Sequence, residues 1–326
     1  MTTSLPEHAQ PMEVMNSVNA AIARTRRMLF QPFNLSKWVV LGVIIFLDVW
    51  FGGGRNFGGG GNFNPGGGQW QSMRDIGDSL LTAEEWVLSN LTLVLAIGIP
   101  FMLVMVVFTV AVLWLTSRGQ MMFIRAVALD DEQLGPNWRE TRVPAWSLFR
   151  FRLVLAAIGY VLGLFVMVFG YLTARGILLS EEPEIWILLG ALVPYIILLV
   201  VFGVCFGLIS LFLRGFVSPL MFHLNCPCVE AWRVFLNLLS GNVLSLLGYV
   251  GIKIAYQIAF GLVAMLVGCV TCCIGMLPVI HHALFAPFYV FDRAFPMYML
   301  GSLGPDFTLI RERVQNGGPD SLPPLP

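Results

Sequence analysis

The sequence predicts an all-α, polytopic transmembrane helical bundle of about six spans, arranged as three hairpins each followed by an interfacial amphipathic helix. Three observations carry that expectation. Of the 326 residues, 57% are hydrophobic and only 12% are charged, against roughly 25% charged in an ordinary soluble domain. Four stretches are apolar for about 20 residues or more, the length a helix needs to cross a hydrocarbon core roughly 30 Å thick. The arginines, finally, gather on alternate connections between those stretches.

The elements follow in chain order. Residues 1–34 read as a cytoplasmic N-terminal amphipathic segment. Pro6, Glu7, Pro11 and Glu13 precede any apolar run, so a cleavable secretory signal is not expected there. Ala20–Phe30 is basic and amphipathic, a pattern that suits a helix lying on a membrane better than a mitochondrial presequence. The membrane domain then occupies 35–300. Its first apolar segment, Trp38–Phe51, has only 14 residues and includes Asp48. Extension back to Leu35 takes in Lys37, whose long stem reaches the headgroups. We read it as a span, with a re-entrant or surface-lying segment as the alternative. Parity favours the span, because otherwise Arg24, Arg26 and Arg27 would share a side with the acidic loop that follows.

That loop begins with a glycine-rich stretch, 52–69, in which residues 52–68 hold 10 glycines in 17 positions. It lacks the flanking strand, helix and Lys-Ser/Thr pair of a phosphate-cradling loop and reads as a flexible outward linker. The acidic segment 72–86, with Asp75, Asp78, Glu84 and Glu85, reads as an outer surface helix. Four direct spans follow at Leu91–Thr116, Phe151–Thr173, Trp186–Phe212 and Val243–Val267. After a turn at Gly268–Pro278, Val279–Leu300 is the sixth candidate and contains His281, His282, Asp292 and Arg293. Residues 301–326 form a cytoplasmic C-terminal tail.

Acidic and basic residues balance at 19 each, so the net charge does not point to nucleic acid. Their distribution orients the chain. Fifteen of the 19 basic residues fall on one side of the six-span scheme, and only Arg55, Arg74 and Arg175 on the other. Short basic loops stay in the cytoplasm, which puts both termini inside.

An approximate threefold repeat accompanies the spans. Each even span closes on an arginine: Ser117-Arg118-Gly119, Leu213-Arg214-Gly215 and Phe291-Asp292-Arg293. Ala145-Trp146 with Phe149 precedes Gly159-Tyr160-Val161, as Ala231-Trp232 with Phe235 precedes Gly248-Tyr249-Val250, at spacings of 14 and 17 residues. Trp232, Phe235, Leu238 and Leu239 share a helix face, as do Trp146, Phe149 and Leu153, which would lay aromatic faces at headgroup level. These arginines, together with Phe291-Asp292-Arg293 through Met299-Leu300 to Gly304-Pro305-Asp306-Phe307, resemble a loose group of uncharacterised bacterial six-span membrane proteins. Some relatives of that group form the membrane part of glycerophosphodiester phosphodiesterases. The resemblance covers roughly 15–310 and implies fold and membrane location. This chain departs from the fused relatives in carrying no soluble phosphodiesterase domain, so their chemistry is not expected here.

Lys253 is the most informative residue. It sits mid-span, where a charge costs at least about 2.5 kcal/mol. Tyr249 and Gln257 lie four residues to either side on the same helical face. These three are expected to line a polar crevice, with Asp48 or the His281-His282 pair as partner from another span. Adjacent histidines point to different faces, so a helical zinc pair is not formed. Asp292 and Arg293 are expected to anchor the inner interface. Cys226 and Cys228 lie a bilayer thickness from Cys269, Cys272 and Cys273, which excludes one shared tetrahedral metal site. Cys269 with Cys272 or Cys273 is a candidate outward disulfide, and a tight turn of small buried residues is the alternative. Arg118, Arg139, Arg142, Arg150, Arg152, Arg214 and Arg293, with Trp146 and Trp232, are candidates for headgroup contact. Gly159-x-x-x-Gly163 and Gly203-x-x-x-Gly207 suit close helix packing. Pro100, Pro194 and Pro287 should kink their spans.

No complete catalytic, nucleotide or metal signature is present. The expected function is therefore a non-enzymatic membrane scaffold or assembly component of the cell (inner) membrane. Membrane lipids are its expected partners, with a protein partner or a homo-oligomer as further options, and no cofactor, metal or nucleic acid. A transporter or channel using the crevice around Lys253 is the alternative, and a membrane-embedded enzyme the third class.

Overall fold

A computed structural model describes residues 12–31, 33–49, 82–130, 134–178, 185–270, 278–304 and 307–310. The glycine-rich loop, most of the acidic segment, Cys272, Cys273 and most of the C-terminal tail lie outside them. Among the described residues the chain is helical, with no β-strand. The helices are α1 (Val14–Phe30), α2 (Leu35–Val49), α3 (Leu91–Leu129), α4 (Leu134–Glu140), α5 (Arg142–Leu178) and α6 (Ile185–Phe212). After a π-helical turn at Leu213–Val217 come α7 (Ser218–Leu224), α8 (Cys228–Gly241), α9 (Val243–Val270), α10 (Pro278–Leu284) and α11 (Ala286–Gly301).

Four of these stretches are long and apolar enough to cross a bilayer: Leu91–Leu129, Arg142–Thr173, Val193–Leu224 and Val243–Cys269. At most 6% of any of their most apolar windows is covered by protein. Side chains such as Leu103, Phe165, Val200 and Leu262 face outward with nothing polar to shield them, so lipid must be their solvent. This is a membrane protein.

The first and last expected spans look different. With 15 residues, α2 is short, and its Leu41, Ile44 and Ile45 are fully buried in protein. The expected single segment Val279–Leu300 is broken at Phe285 into α10 and α11. Pro287 accounts for the break: it has no N–H to bond back to Ala283, and its ring disfavours helical backbone just before it. Pro100 and Pro194, by contrast, sit inside unbroken helices. The π-helical turn has a similar cause. Pro219 offers no N–H to Gly215 and crowds its carbonyl, and a wider turn relieves the clash.

The chain divides into two compact units. The first comprises Met1–Phe46, Gln120–Pro144 and Gly215–Pro326. Here α11 is a core helix, with Val290, Phe295, Met297, Met299 and Leu300 at most 2% exposed. Burying side chains of this size stabilises by roughly 1.5–3 kcal/mol each relative to water. Packed along α11 is α1, whose Ser17, Ala21, Arg24, Thr25, Met28 and Leu29 form one buried stripe at helical spacing. The apolar stripe expected on the membrane surface is thus covered by protein, while Met15, Ile22 and Phe30 remain exposed on the other faces. Three hydrogen bonds fix the start of α1: Met12 N–H donates to Asn242 (3.1 Å), Ser245 donates to Met12 O (2.9 Å), and Glu13 N–H donates to Ser302 (3.1 Å). The aromatic face expected at headgroup level on α8 turns inward as well, where Phe235 stacks on Phe216 at 5.5 Å and Leu238 is buried.

The second unit comprises Leu47–Gly119 and Ala145–Arg214. Its α5 and α6 run antiparallel in one register. A Cβ at Gly159 would stand 3.1 Å from Phe206, and one at Gly170 would stand 2.9 Å from Tyr195. Glycine at these positions lets an aromatic ring lie against the opposing backbone.

Candidate functional site

In the first unit, α9 presents Tyr249, Lys253, Tyr256 and Phe260 at spacings of four, three and four residues, a stripe that faces α11. Lys253 donates to the Asp292 carboxylate, and the two side chains are 12% and 10% exposed. The lysine also lies 6.0 Å from the centre of the Tyr249 ring, a cation–π contact. Tyr249 is fully buried between Phe216 (4.8 Å) and Phe295 (5.5 Å). One turn along, Tyr256 donates to the Phe288 carbonyl at 2.7 Å. Pro296 lies inside α11 four residues after Asp292.

These positions correct part of the expected crevice. The ion-pair partner of Lys253 is Asp292, the residue expected to anchor the interface. Gln257 is exposed, because the buried stripe drifts from 253 to 256 rather than to 257. His281 and His282 join an aromatic cluster instead, with His281 at 4.7 Å from Phe285 and buried His282 at 5.5 Å from Tyr289 and 5.8 Å from Phe46. Arg293 is 3% exposed, its guanidinium 5.4 Å from the centre of the Phe123 ring. Burial removes it from headgroup contact.

The second unit holds the other charged cluster. Asp48, with a fully buried side chain, accepts from Arg214 at 2.6 Å. The backbone of Leu47 and Asp48 lies hard against α3, so a Cβ at Gly119 would come within 2.5 Å of it. Arg152 donates to the Ser117 hydroxyl at 3.4 Å, and Arg118 lies over the Trp114 ring at 5.7 Å. Arg118 is only 9% exposed and Trp146 50% exposed, while Arg139, Arg142 and Arg150 are exposed and Arg152 and Trp232 half-buried.

Sequence reasoning missed three further links in the first unit. Lys37 pairs with Asp130 at 2.8 Å, Arg125 with Glu140 at 2.7 Å, and Arg24 donates to the Val127 carbonyl at 3.0 Å. Asp130 adopts a left-handed backbone (φ 55°) just past the end of α3, a conformation that Asp tolerates. Among the described residues, Cys205, Cys226, Cys228 and Cys269 form no disulfide. Burial pushes the Cys226 thiol up from its ordinary value of 9.0, and the Glu230 carboxylate adds to the shift. Among the described residues no three His, Cys, Asp or Glu side chains gather as metal ligands.

The chain belongs to a family of unknown function, DUF7544, whose model matches residues 12–304. No curated protein and no solved structure matches it. The resemblance to the membrane domains of glycerophosphodiester phosphodiesterases is not among these findings.

Proposed function

We propose that this DUF7544 member is a non-enzymatic membrane scaffold or assembly component, multi-pass in the cell (inner) membrane, with both termini in the cytoplasm. In this reading α2 and the α10–α11 pair are the first and sixth crossings. Protein covers Leu41, Ile44 and Ile45 of α2 and most of α11, and three hairpins result in this reading.

The pairing of the charges carries the proposal. Asp48 with Arg214, Lys253 with Asp292 and Lys37 with Asp130 each neutralise one another within the protein. Mutual neutralisation suits a fixed frame, whereas a carrier needs a charge that meets its cargo. The excess of arginine on one set of connections supports the orientation. Exposed Arg139, Arg142 and Arg150 suit contact with anionic headgroups. Transport is the second reading, favoured by the placement of Lys253 within the apolar helix α9.

Proteoliposomes separate the two. A scaffold gives no solute or lipid flux above protein-free vesicles, and the double variant Lys253→Met/Asp292→Leu keeps the wild-type set of co-purifying proteins and lipids. Flux that disappears in Lys253→Met would move the assignment to transport. Tags on each terminus test the topology independently, since an extracellular N-terminus removes α2 as a crossing and an extracellular C-terminus removes α10–α11.

A further inference from the structure

We propose that the exposed side of α1, with the turn that joins it to α2, is a docking surface for an anionic bilayer leaflet. Met15, Ile22, Phe30, Phe33 and Leu35 supply its apolar part and Arg26 its charge. The inference deepens the lipid-contact part of the proposed function and rests on it only for which leaflet is met.

The surface follows from helical spacing. The protein-covered stripe of α1 runs through Ala21, Met28 and Leu29. Met15, Ile22, Arg26 and Phe30 are separated by seven, four and four residues, so they line up on the opposite side, and all four are exposed. A helix facing water would be polar there. The turn continues the surface. Phe30 pairs with Phe33 in an isolated antiparallel bridge, and both rings contact Trp38, at 5.6 and 5.8 Å. The Trp38 indole N–H donates to the Leu29 carbonyl at 3.0 Å, and Ser36 N–H donates to the Asn34 side chain at 2.9 Å. The exposure of Phe33 (62%) and Leu35 (68%) is thus held in place by a bonded turn.

The position of α1 relative to lipid is set by α9. Met12 N–H donates to Asn242, Ser245 donates to Met12 O, and a Cβ on Gly248 would stand 3.4 Å from Val14. Val243, Leu244 and Leu247, in the first turns of the lipid-crossing α9, face outward. The 28 residues of α9 extend about 42 Å, more than the roughly 30 Å hydrocarbon core, so its ends reach headgroup level. The start of α1 is tied to one of those ends.

Charge selects the partner. From Val14 to Leu47 the chain carries Arg24, Arg26, Arg27 and Lys37 and no acidic residue. Arg24 and Lys37 turn inward onto Val127 and Asp130, whereas Arg26 and Arg27 are exposed. Large apolar side chains flanked by outward arginines match a helix whose apolar side sinks about 5–10 Å into the headgroup region of an anionic leaflet.

Photocrosslinking of the full chain tests this in nanodiscs of phosphatidylcholine with a minor share of phosphatidylglycerol. A benzophenone amino acid replaces Ile22 or Phe33, or Leu103 of the lipid-facing α3 as a reference, and mass spectrometry identifies the adducts. Phospholipid adducts are expected at all three positions, with phosphatidylglycerol enriched above its share of the bilayer at Ile22 and Phe33 but not at Leu103. Arg26→Gln should lower that enrichment by up to about fivefold. If the probe at Phe33 disturbs the turn, one at Leu35 reads the same surface. Absence of lipid adducts at Ile22 or at the turn, whether the probe meets a second copy, another protein or water, overturns the proposal. So does enrichment that is missing or indifferent to Arg26→Gln. Both leaflets of the nanodisc carry the anionic lipid, so an error in orientation leaves these outcomes unchanged, and none of them bears on flux.

Discussion

Lys253 of α9 and Asp292 of α11 form an ion pair 39 residues apart in sequence, with side chains 12% and 10% exposed. Two charges so placed are each costly alone and tolerable together. Attraction within the low-dielectric interior offsets much of the desolvation of both. The pair ties an apolar crossing to the core helix of its unit, which Tyr256 reinforces by donating to the Phe288 carbonyl one turn away.

Removing one partner should therefore do more harm than removing both. Lys253→Met leaves Asp292 buried beside an apolar side chain and should cost roughly 3–5 kcal/mol. Lys253→Met/Asp292→Leu should recover most of that loss. Reversible unfolding by SDS titration in mixed micelles measures both. Equal destabilisation of the single and double variants would mean that the two charges do not depend on each other.

Burial should rank the ion pairs of the second unit in the same way. Asp48 is fully buried beside Arg214, whereas Glu84 and Arg175 are 27% and 41% exposed at 3.2 Å. Asp48→Asn should cost about 3 kcal/mol or more, and Glu84→Gln less than about 1 kcal/mol. The same unfolding titration reports on both, and the ranking fails if Glu84→Gln proves the more damaging.

The Lys253–Asp292 pairing was legible in the sequence, although other partners were expected for the lysine. Lys253 lies 15 residues before Gly268 and Asp292 14 residues after Pro278. An antiparallel hairpin folded about that turn sets the two opposite each other. The four lipid-facing helices were legible too, because their apolar runs are continuous. What covers an amphipathic face was not. The periodicity of α1 and α8 reveals an apolar stripe but does not distinguish lipid from protein as its cover, and in both helices the cover is protein. The helix break at Phe285 could be read from Pro287. The left-handed turn that brings Asp130 to Lys37 carries no comparable signal, since Asp occupies many other conformations as readily.

The glycines make opposite predictions according to what lies beside them. A Cβ on Gly119 would meet Leu47 C at 2.5 Å and Asp48 N at 2.6 Å, both backbone atoms that cannot swing aside. Gly119→Ala should separate α2 from α3 and lower stability by about 2 kcal/mol or more, as overpacking does. Nothing lies within 4 Å of the same position on Gly163. Gly163→Ala should be neutral, or stabilising by up to about 1 kcal/mol through reduced backbone freedom. Unfolding in micelles compares the two. A loss for Gly163→Ala that appears in bilayers but not in dilute micelles would reveal a second copy packed against that face.

Cys226 should be a sluggish nucleophile. Its thiol sits at the junction of α7 and α8, where burial disfavours the thiolate and the Glu230 carboxylate repels it. Both effects raise the pKa above 9.0, so at neutral pH the reactive fraction is smaller than for an exposed cysteine. In a variant with Cys226 as the sole cysteine, maleimide labelling at pH 7.5 should run slower than that of a model thiol and rise steeply toward pH 10. Glu230→Gln should quicken it by removing the smaller of the two causes. Exposure of the site by partial unfolding should quicken it further, because burial is the larger cause. Labelling as fast as the model thiol, with no response to Glu230→Gln, would show that neither burial nor the carboxylate acts on this sulfur.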